Sequence, residues 1–390
     1  MSAPWVPGLA TACLIAAAGF GSLVSTSGLI ELIRRDLGLS FGQGGFLLSA
    51  PFALISLFAL AGGRVVDRLG ARRVLAAGAL LALAGGGGRA FAGGFWGLAL
   101  GTALVGVGLG LIYPVLPKIV SGTAPEEKRG LGATLYTVSV ISGAALGVAA
   151  TPLAGGWLPF AGGSAWRGGY LGWALLLLAA FLLWRRFGGA APEEAEEAPA
   201  SPAVLRDPAV WGVAASLFVN NVVFFTSLGW LPALLAGKGW SPAGAGWVVS
   251  LVPWLGIVAV LTTHPAAAAL GGERNMIRAC ALSTALALAV LPGGGAWAAA
   301  LGTAALGFTT NFWFLLCLAF PARRVERAQA GTAAGLIIGV GYAGGFVGPW
   351  AAGVARDLAG GFGPALYALA LLSLASALAA PFFAPPGKPR

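Results

Sequence analysis

One histidine, three cysteines and thirteen carboxylates are all that this chain offers to acid–base, nucleophilic or metal chemistry. Cys13, Cys280 and Cys317 lie far apart, each inside an apolar run, and His264 stands alone. A metal site needs several ligands at short recurring spacings, and a catalytic site needs a nucleophile, a base and an orienting group that converge. Neither pattern occurs, so the cysteines read as small core residues, and no enzyme activity, metal or cofactor is expected. Glu31, Asp36, Asp67, Glu126, Glu127, Asp207, Glu273, Glu326 and Asp357 fall in loops or at helix ends, and the remaining acids share one polar stretch. None falls at the centre of a run, where a proton carrier or a cation-selective group is expected.

What remains for recognition is a set of amides and aromatic rings and one misplaced charge. Arg89 is the one cation inside an apolar pattern. A charge there is costly, so it either serves a binding site, where it favours an anion, or snorkels to an interface. Asn220, Asn221 and Asn311 lie mid-run, where an amide needs partners and can orient a small polar ligand. Tyr113, Tyr136, Ser139, Phe224, Ser250, Trp254, Trp313 and Tyr342 are further candidates on the same runs. Trp230 lies near a run's end and reads as an interfacial anchor.

The elements that must position these residues are of membrane length. The 390 residues are 58% hydrophobic and 9% charged, with a mean hydropathy of +0.87, whereas a soluble domain carries about 25% charge. Apolar runs of about 20 residues recur along the chain, which is the length needed to span a bilayer as a helix. They are continuous rather than alternating, which predicts helices and not a barrel. The runs place twelve spans near 7–33, 44–63, 74–92, 95–117, 130–155, 167–186, 208–235, 244–263, 277–292, 296–320, 331–354 and 364–384. The fold class expected is therefore an all-α multi-pass membrane protein.

The net charge of +10 is spread over short clusters between the spans, which fits membrane topology and not nucleic-acid binding. With twelve spans both termini share one side, and 17 of the 23 basic residues fall on that side. Six (Arg34, Arg35, Arg89, Arg167, Lys238 and Arg356) fall at or near the other. Basic residues accumulate in the cytoplasm, so both termini are expected inside a cell membrane. The acidic, Pro-rich stretch 188–206 reads as a cytoplasmic linker between six-helix bundles at 1–187 and 207–390.

The halves repeat at an offset of 201. Gly101-Thr102-Ala103-Leu104-Val105-Gly106 matches Gly302-Thr303-Ala304-Ala305-Leu306-Gly307, and Gly38, Ser40, Gly45 and Ser49 match Gly239, Ser241, Gly246 and Ser250. Two further runs, Gly143-x-x-x-Gly147 with Thr151-Pro152 and Gly341-x-x-Gly344-Gly345-x-x-Gly348-Pro349, carry the small-residue spacing that lets helices approach closely and rock.

The segment Gly63-x-x-x-Asp67-Arg68-x-Gly70-x-Arg72 resembles the loop between helices 2 and 3 of the major facilitator superfamily of secondary transporters. That resemblance implies twelve helices in two pseudo-repeat bundles and alternating access to a central site. It also implies a latch at Gly63, Asp67, Arg68, Gly70 and Arg72 that holds one side closed. Within the superfamily the chain is similar to the cyanate permease and small-anion carrier families, on Leu32-Ile33-Arg34-Arg35-Asp36-Leu37-Gly38-Leu39-Ser40, Arg89, Tyr113-Pro114-Val115-Leu116-Pro117-Lys118, Tyr136-Thr137, Trp230-Leu231-Pro232 and Gly341-Tyr342. The expectation is a monomeric carrier of a small anion or small polar organic solute, working with a coupling ion in a lipid bilayer. The alternative is a drug or metabolite exporter, favoured by the resemblance of the Gly143–Pro152 run to the glycine-proline motif of exporters in the superfamily and disfavoured by the missing intramembrane acid.

Overall fold

In the computed structural model, the described residues are 5–153, 164–188, 204–326 and 329–383, with the side chains of 59–68 left aside. They form twelve long helices and no strand: α1 (Val6–Leu37), α2 (Phe41–Leu69), α3 (Ala71–Ala90), α4 (Phe95–Thr123), α5 (Arg129–Ala149), α6 (Ala165–Phe187), α7 (Pro208–Gly237), α8 (Pro242–Ala269), α9 (Glu273–Gly293), α10 (Ala296–Arg324), α11 (Ala330–Ala359) and α12 (Gly363–Ser376). A 3-10 segment, Ala377–Phe383, extends the last. Eleven of these helices are long and apolar enough to cross a membrane. The exception is α3, diluted by Arg72, Arg73, Arg89 and four consecutive glycines.

Several helices outrun the apolar stretches that predicted them, because a helix ends where a residue stops it and not where hydropathy falls. α1 continues to Gly38, whose left-handed φ of 62° turns the chain and whose N–H bonds back to the Arg34 carbonyl. Glu31 and Asp36 therefore lie in its last two turns. Likewise α2 runs through the basic motif to Leu69 and breaks only at Gly70, with φ 79°. Most of the expected linker lies outside the described residues.

The repeat seen in the sequence is carried by backbone contacts. Within the first bundle α1 packs on α5 and α6, α2 on α4, and α3 on α4 and α6. The second repeats this with α7 on α11 and α12, α8 on α10, and α9 on α10 and α12. Gly38 and Gly239 both adopt positive φ, and the hydroxyls of Ser40 and Ser241 each accept from the backbone N–H three residues on. A methyl on Gly106 would lie 2.8 Å from Cα of Pro51, and one on Gly307 would lie 3.0 Å from Cα of Val252, again 201 residues later. Lipid removes any hydrophobic drive between helices, so such close van der Waals contact is what holds them.

Across the bundles α2 meets α11, α5 meets α8, and α1 meets α7. These pairs are tight toward the α1–α2 turn: a methyl on Gly45 would come within 2.5 Å of the Pro349 carbonyl oxygen, and one on Gly246 within 3.0 Å of that of Val148. Toward the Gly70 turn they part. Gly130, Gly331 and Gly335 face open space, and the first turn of α5 is largely exposed, while that of α11 is partly buried, with Ala333 in the core.

Candidate functional site

A central cavity of about 120 Å³ lies between the bundles where the tight and parted halves meet. Its first wall is apolar: Phe20 and Val24 from α1, and Val140, Ile141 and Ala144 from α5. The second wall holds all the polar groups, with Asn220 and Asn221 on α7, Asn311 on α10 and Tyr342 on α11. Phe224, Phe225, Leu228, Pro253 and Phe314 complete that wall. Among the described residues, no charged side chain lines it.

The amides differ in what they already hold. Asn311 donates through Nδ2 to the carbonyls of Val252 (2.8 Å) and Gly307 (2.7 Å), so it is tied to its own bundle. Asn220 is 1% exposed, yet both its amide nitrogen and its amide oxygen lack a partner. Asn221 Nδ2 is also unpartnered. Unmet buried groups of this kind cost about 1–3 kcal/mol each, and such strain persists where a ligand relieves it.

Five of the expected site residues line this cavity: Asn220, Asn221, Phe224, Asn311 and Tyr342. Tyr113 lies beside it, stacked on Phe20 at 4.5 Å between ring centroids, with its hydroxyl buried and unpartnered. Tyr136 is half-buried, packed against the core, and absent from the lining. The remaining candidates lie elsewhere. Ser250 turns its hydroxyl onto the Trp247 carbonyl, just as Ser49 does onto Phe46. Trp254 is half-buried and absent from the lining. Trp313 is fully buried inside the second bundle, donating to Ser216 Oγ at 2.8 Å. Trp230, read as an interfacial anchor, is instead 3% exposed and donates to the Pro349 carbonyl across to α11.

Arg89 neither lines the cavity nor snorkels. It is fully buried, and its guanidinium donates to Ser22 O (3.0 Å), Ser22 Oγ (2.8 Å) and Thr26 Oγ1 (3.2 Å) while lying 4.2 Å from the Tyr170 ring. The Tyr170 hydroxyl completes the set at 3.0 Å from Thr26 Oγ1. Arg89 thus ties α3 to α1 and α6, on the side of α1 away from the cavity. Arg89→Gln is expected to lower the unfolding midpoint, by about 1–3 kcal/mol of lost charge-assisted bonds and packing. The shift produced by a cavity ligand should survive, and a thermal-unfolding series with and without ligand checks both.

Of the latch residues, Gly70 turns the chain from α2 into α3, and the exposed Arg72 lies 5.6 Å from the Trp184 ring centroid. The side chains of Asp67 and Arg68, and position 63, lie outside the described side chains. Sequence reasoning missed the apolar wall, since Phe20, Val24, Val140, Ile141 and Ala144 look like any other lipid-facing or core residues. A signal for Phe225 and Leu228 existed: they continue the face begun by Asn221 and Phe224 at helical spacing.

The profile of the Major Facilitator Superfamily matches residues 9–349. The chain is 29% identical over 360 residues to a 2-nitroimidazole transporter of Escherichia coli, covering 90% of this chain and 88% of that protein. It is 26% identical over 351 residues to the cyanate transport protein CynX of the same organism, covering 87% of each. Among solved structures it is similar to the inward open xylose transporter XylE of E. coli, with a TM-score of 0.77, 16% identity and coverage of 97% and 95%.

Proposed function

The chain belongs to the major facilitator superfamily and is a multi-pass membrane transporter of small solutes, and from that premise we propose that its cargo is a small polar organic molecule with one polar edge and one apolar face. The observation that carries this reading is the one-sided cavity, in which unpartnered Asn220 and Asn221 face the apolar wall of α1 and α5. Amides offer donors and an acceptor together, so they suit a neutral group that has both. An anion is less well served, because no cation among the described residues lines the cavity and Arg89 is engaged elsewhere. A flat ring is favoured by Phe20, Phe224, Phe225 and Tyr342 around the space. The 2-nitroimidazole carried by one relative has this character, whereas cyanate does not.

Transport is by alternating access within one chain, since a single chain supplies every wall. The basic clusters support a cytoplasmic placement of the Gly70 end, toward which the described conformation opens. Any ion coupling works without a carboxylate in the cavity lining. The reading is tested by thermal shift of the purified protein against 2-nitroimidazole, cyanate, xylose and a lipophilic cation. Stabilisation by the neutral heteroaromatic, lost in Asn220→Leu and kept in Arg89→Gln, supports it; stabilisation by cyanate alone, lost in Arg89→Gln, returns the anion reading.

The motif at the Gly70 end is the proposed latch of the opposite conformation. Asp67→Asn is expected to slow transport about tenfold while leaving the ligand-induced thermal shift in place, because a latch sets conformational populations and not contacts to the cargo. Turnover equal to that of the parent protein at equal expression would remove Asp67 from the gating machinery.

A further inference from the structure

The end of the molecule that carries the α1–α2 turn is closed by a carboxylate that takes no part in the cavity. Asp357 lies in the last turn of α11, in the second bundle. The backbone N–H of Phe41 donates to its Oδ1 at 2.9 Å, and that of Gly42 donates to its Oδ2 at 2.7 Å. Phe41 and Gly42 are the first two residues of α2, in the first bundle, so their N–H groups have no partner within the helix. The helix terminus also carries partial positive charge, which a carboxylate complements.

The cap sits on a zipped surface. The Phe41 ring packs on Trp230 and Phe362, each 5.6 Å away between centroids, and the guanidinium carbons of Arg34 and Arg356 lie 3.3 and 4.6 Å from its centre. Beneath it, a methyl on Gly353 would overlap the Phe41 carbonyl oxygen. The bonds to Asp357 are nevertheless exposed to water. Breaking them strands no buried charge, because water replaces both partners, so the contact is strong enough to bias a conformation and cheap enough to release. The position 201 residues before Asp357 is Gly156, which has no carboxylate, so the device belongs to the α2–α11 pair alone.

We propose that Asp357 is the latch of this end: its carboxylate, capping α2 across the bundle interface, holds this access path shut, and its release accompanies opening here and closure at the Gly70 end. The proposal rests on the alternating-access reading but not on the identity of the cargo. It makes Asp357 a positioning residue that acts through the packing of the two bundles.

Spin-label distances in the full-length protein test it without any substrate. One pair, Gly93→Cys with Gly295→Cys, spans the bundles at the Asp357 end, and a second, Gly130→Cys with Gly331→Cys, spans them at the Gly70 end. A methyl at any of these four positions meets nothing within 4 Å. The native Cys13, Cys280 and Cys317 are replaced by alanine in all samples. Asp357→Ala, and more weakly the isosteric Asp357→Asn, should shift the ratio of conformers about tenfold or more toward a longer Gly93–Gly295 distance and a shorter Gly130–Gly331 distance. Unchanged distributions at both ends overturn the proposal. So does lengthening at the first pair with none of the reciprocal shortening at the second, which marks Asp357 as a local helix cap only. Should Asp357→Ala fail to fold, the Asp357→Asn data decide alone.

Discussion

Asn220→Leu is expected to yield a protein that is more stable than the parent and close to inactive. Leucine has nearly the shape of asparagine but no polar atoms, and the site it would occupy is 1% exposed. Both amide atoms of Asn220 are buried without a compensating bond. Removing them returns about 1–3 kcal/mol, read as a rise in the unfolding midpoint. The same atoms are the groups best placed to bond a polar edge of the cargo, so transport should fall by more than tenfold and the ligand-induced thermal shift should disappear. The opposite signs are the point of the experiment, since an amide kept for structure would lose stability when removed. A lowered midpoint together with retained transport would therefore take Asn220 out of the candidate site.

The second large effect is expected at a pair of glycines that the repeat relates. A methyl on Gly143 of α5 would overlap the Ala17 carbonyl oxygen of α1, and one on Gly344 of α11 would overlap the Phe218 carbonyl oxygen of α7. Both the glycines and their targets differ by 201. One helical turn on, Gly147 and Gly348 repeat the arrangement against the carbonyls of Gly21 (2.7 Å) and Val222 (2.6 Å). The obstacle is backbone, which cannot swing aside as a side chain does, so Gly143→Ala or Gly344→Ala must push two helices apart. Each should cost about 1–3 kcal/mol or more and reduce folded yield, measured by thermal unfolding in detergent. Gly335→Ala serves as the control: it faces open space, and its better helix propensity should stabilise by up to about 1 kcal/mol. Equal losses at all three positions would show that the spacing of glycines, not their contacts, governs the bundle.

Much of the fold was legible because the constraints that set it are local. A bilayer demands about 20 apolar residues per span, and those runs can be read off the chain. The offset of 201 was legible for a similar reason, since each repeated residue answers one backbone requirement. Gly38 and Gly239 sit at left-handed turns, and Gly45 and Gly246 meet a carbonyl of the facing bundle. The ends of α1 and α2 were less legible, because charged residues continue a helix past the hydrocarbon until a glycine breaks it.

The candidate site divides along the same line. Composition and pattern alone determined that this is a helical, multi-pass membrane protein in two repeats, and narrowed the candidate recognition groups to amides, aromatic rings and Arg89. Tertiary structure decided which of those groups converge. Asn220, Asn221 and Asn311 come from α7 and α10 and meet in one cavity, while Trp313 and Arg89, equally conspicuous in the sequence, are consumed by Ser216 and by Ser22 with Thr26 inside their own bundles. Helical periodicity tells which residues share a face but not which neighbour that face meets. In lipid the outward face of a helix is as apolar as its packed face, so hydropathy does not mark the inward side, and close packing at the glycines helps to set the rotation of each helix. The contact of Asp357 with α2 is the extreme case, joining residues 315 and 316 positions apart that no local pattern links.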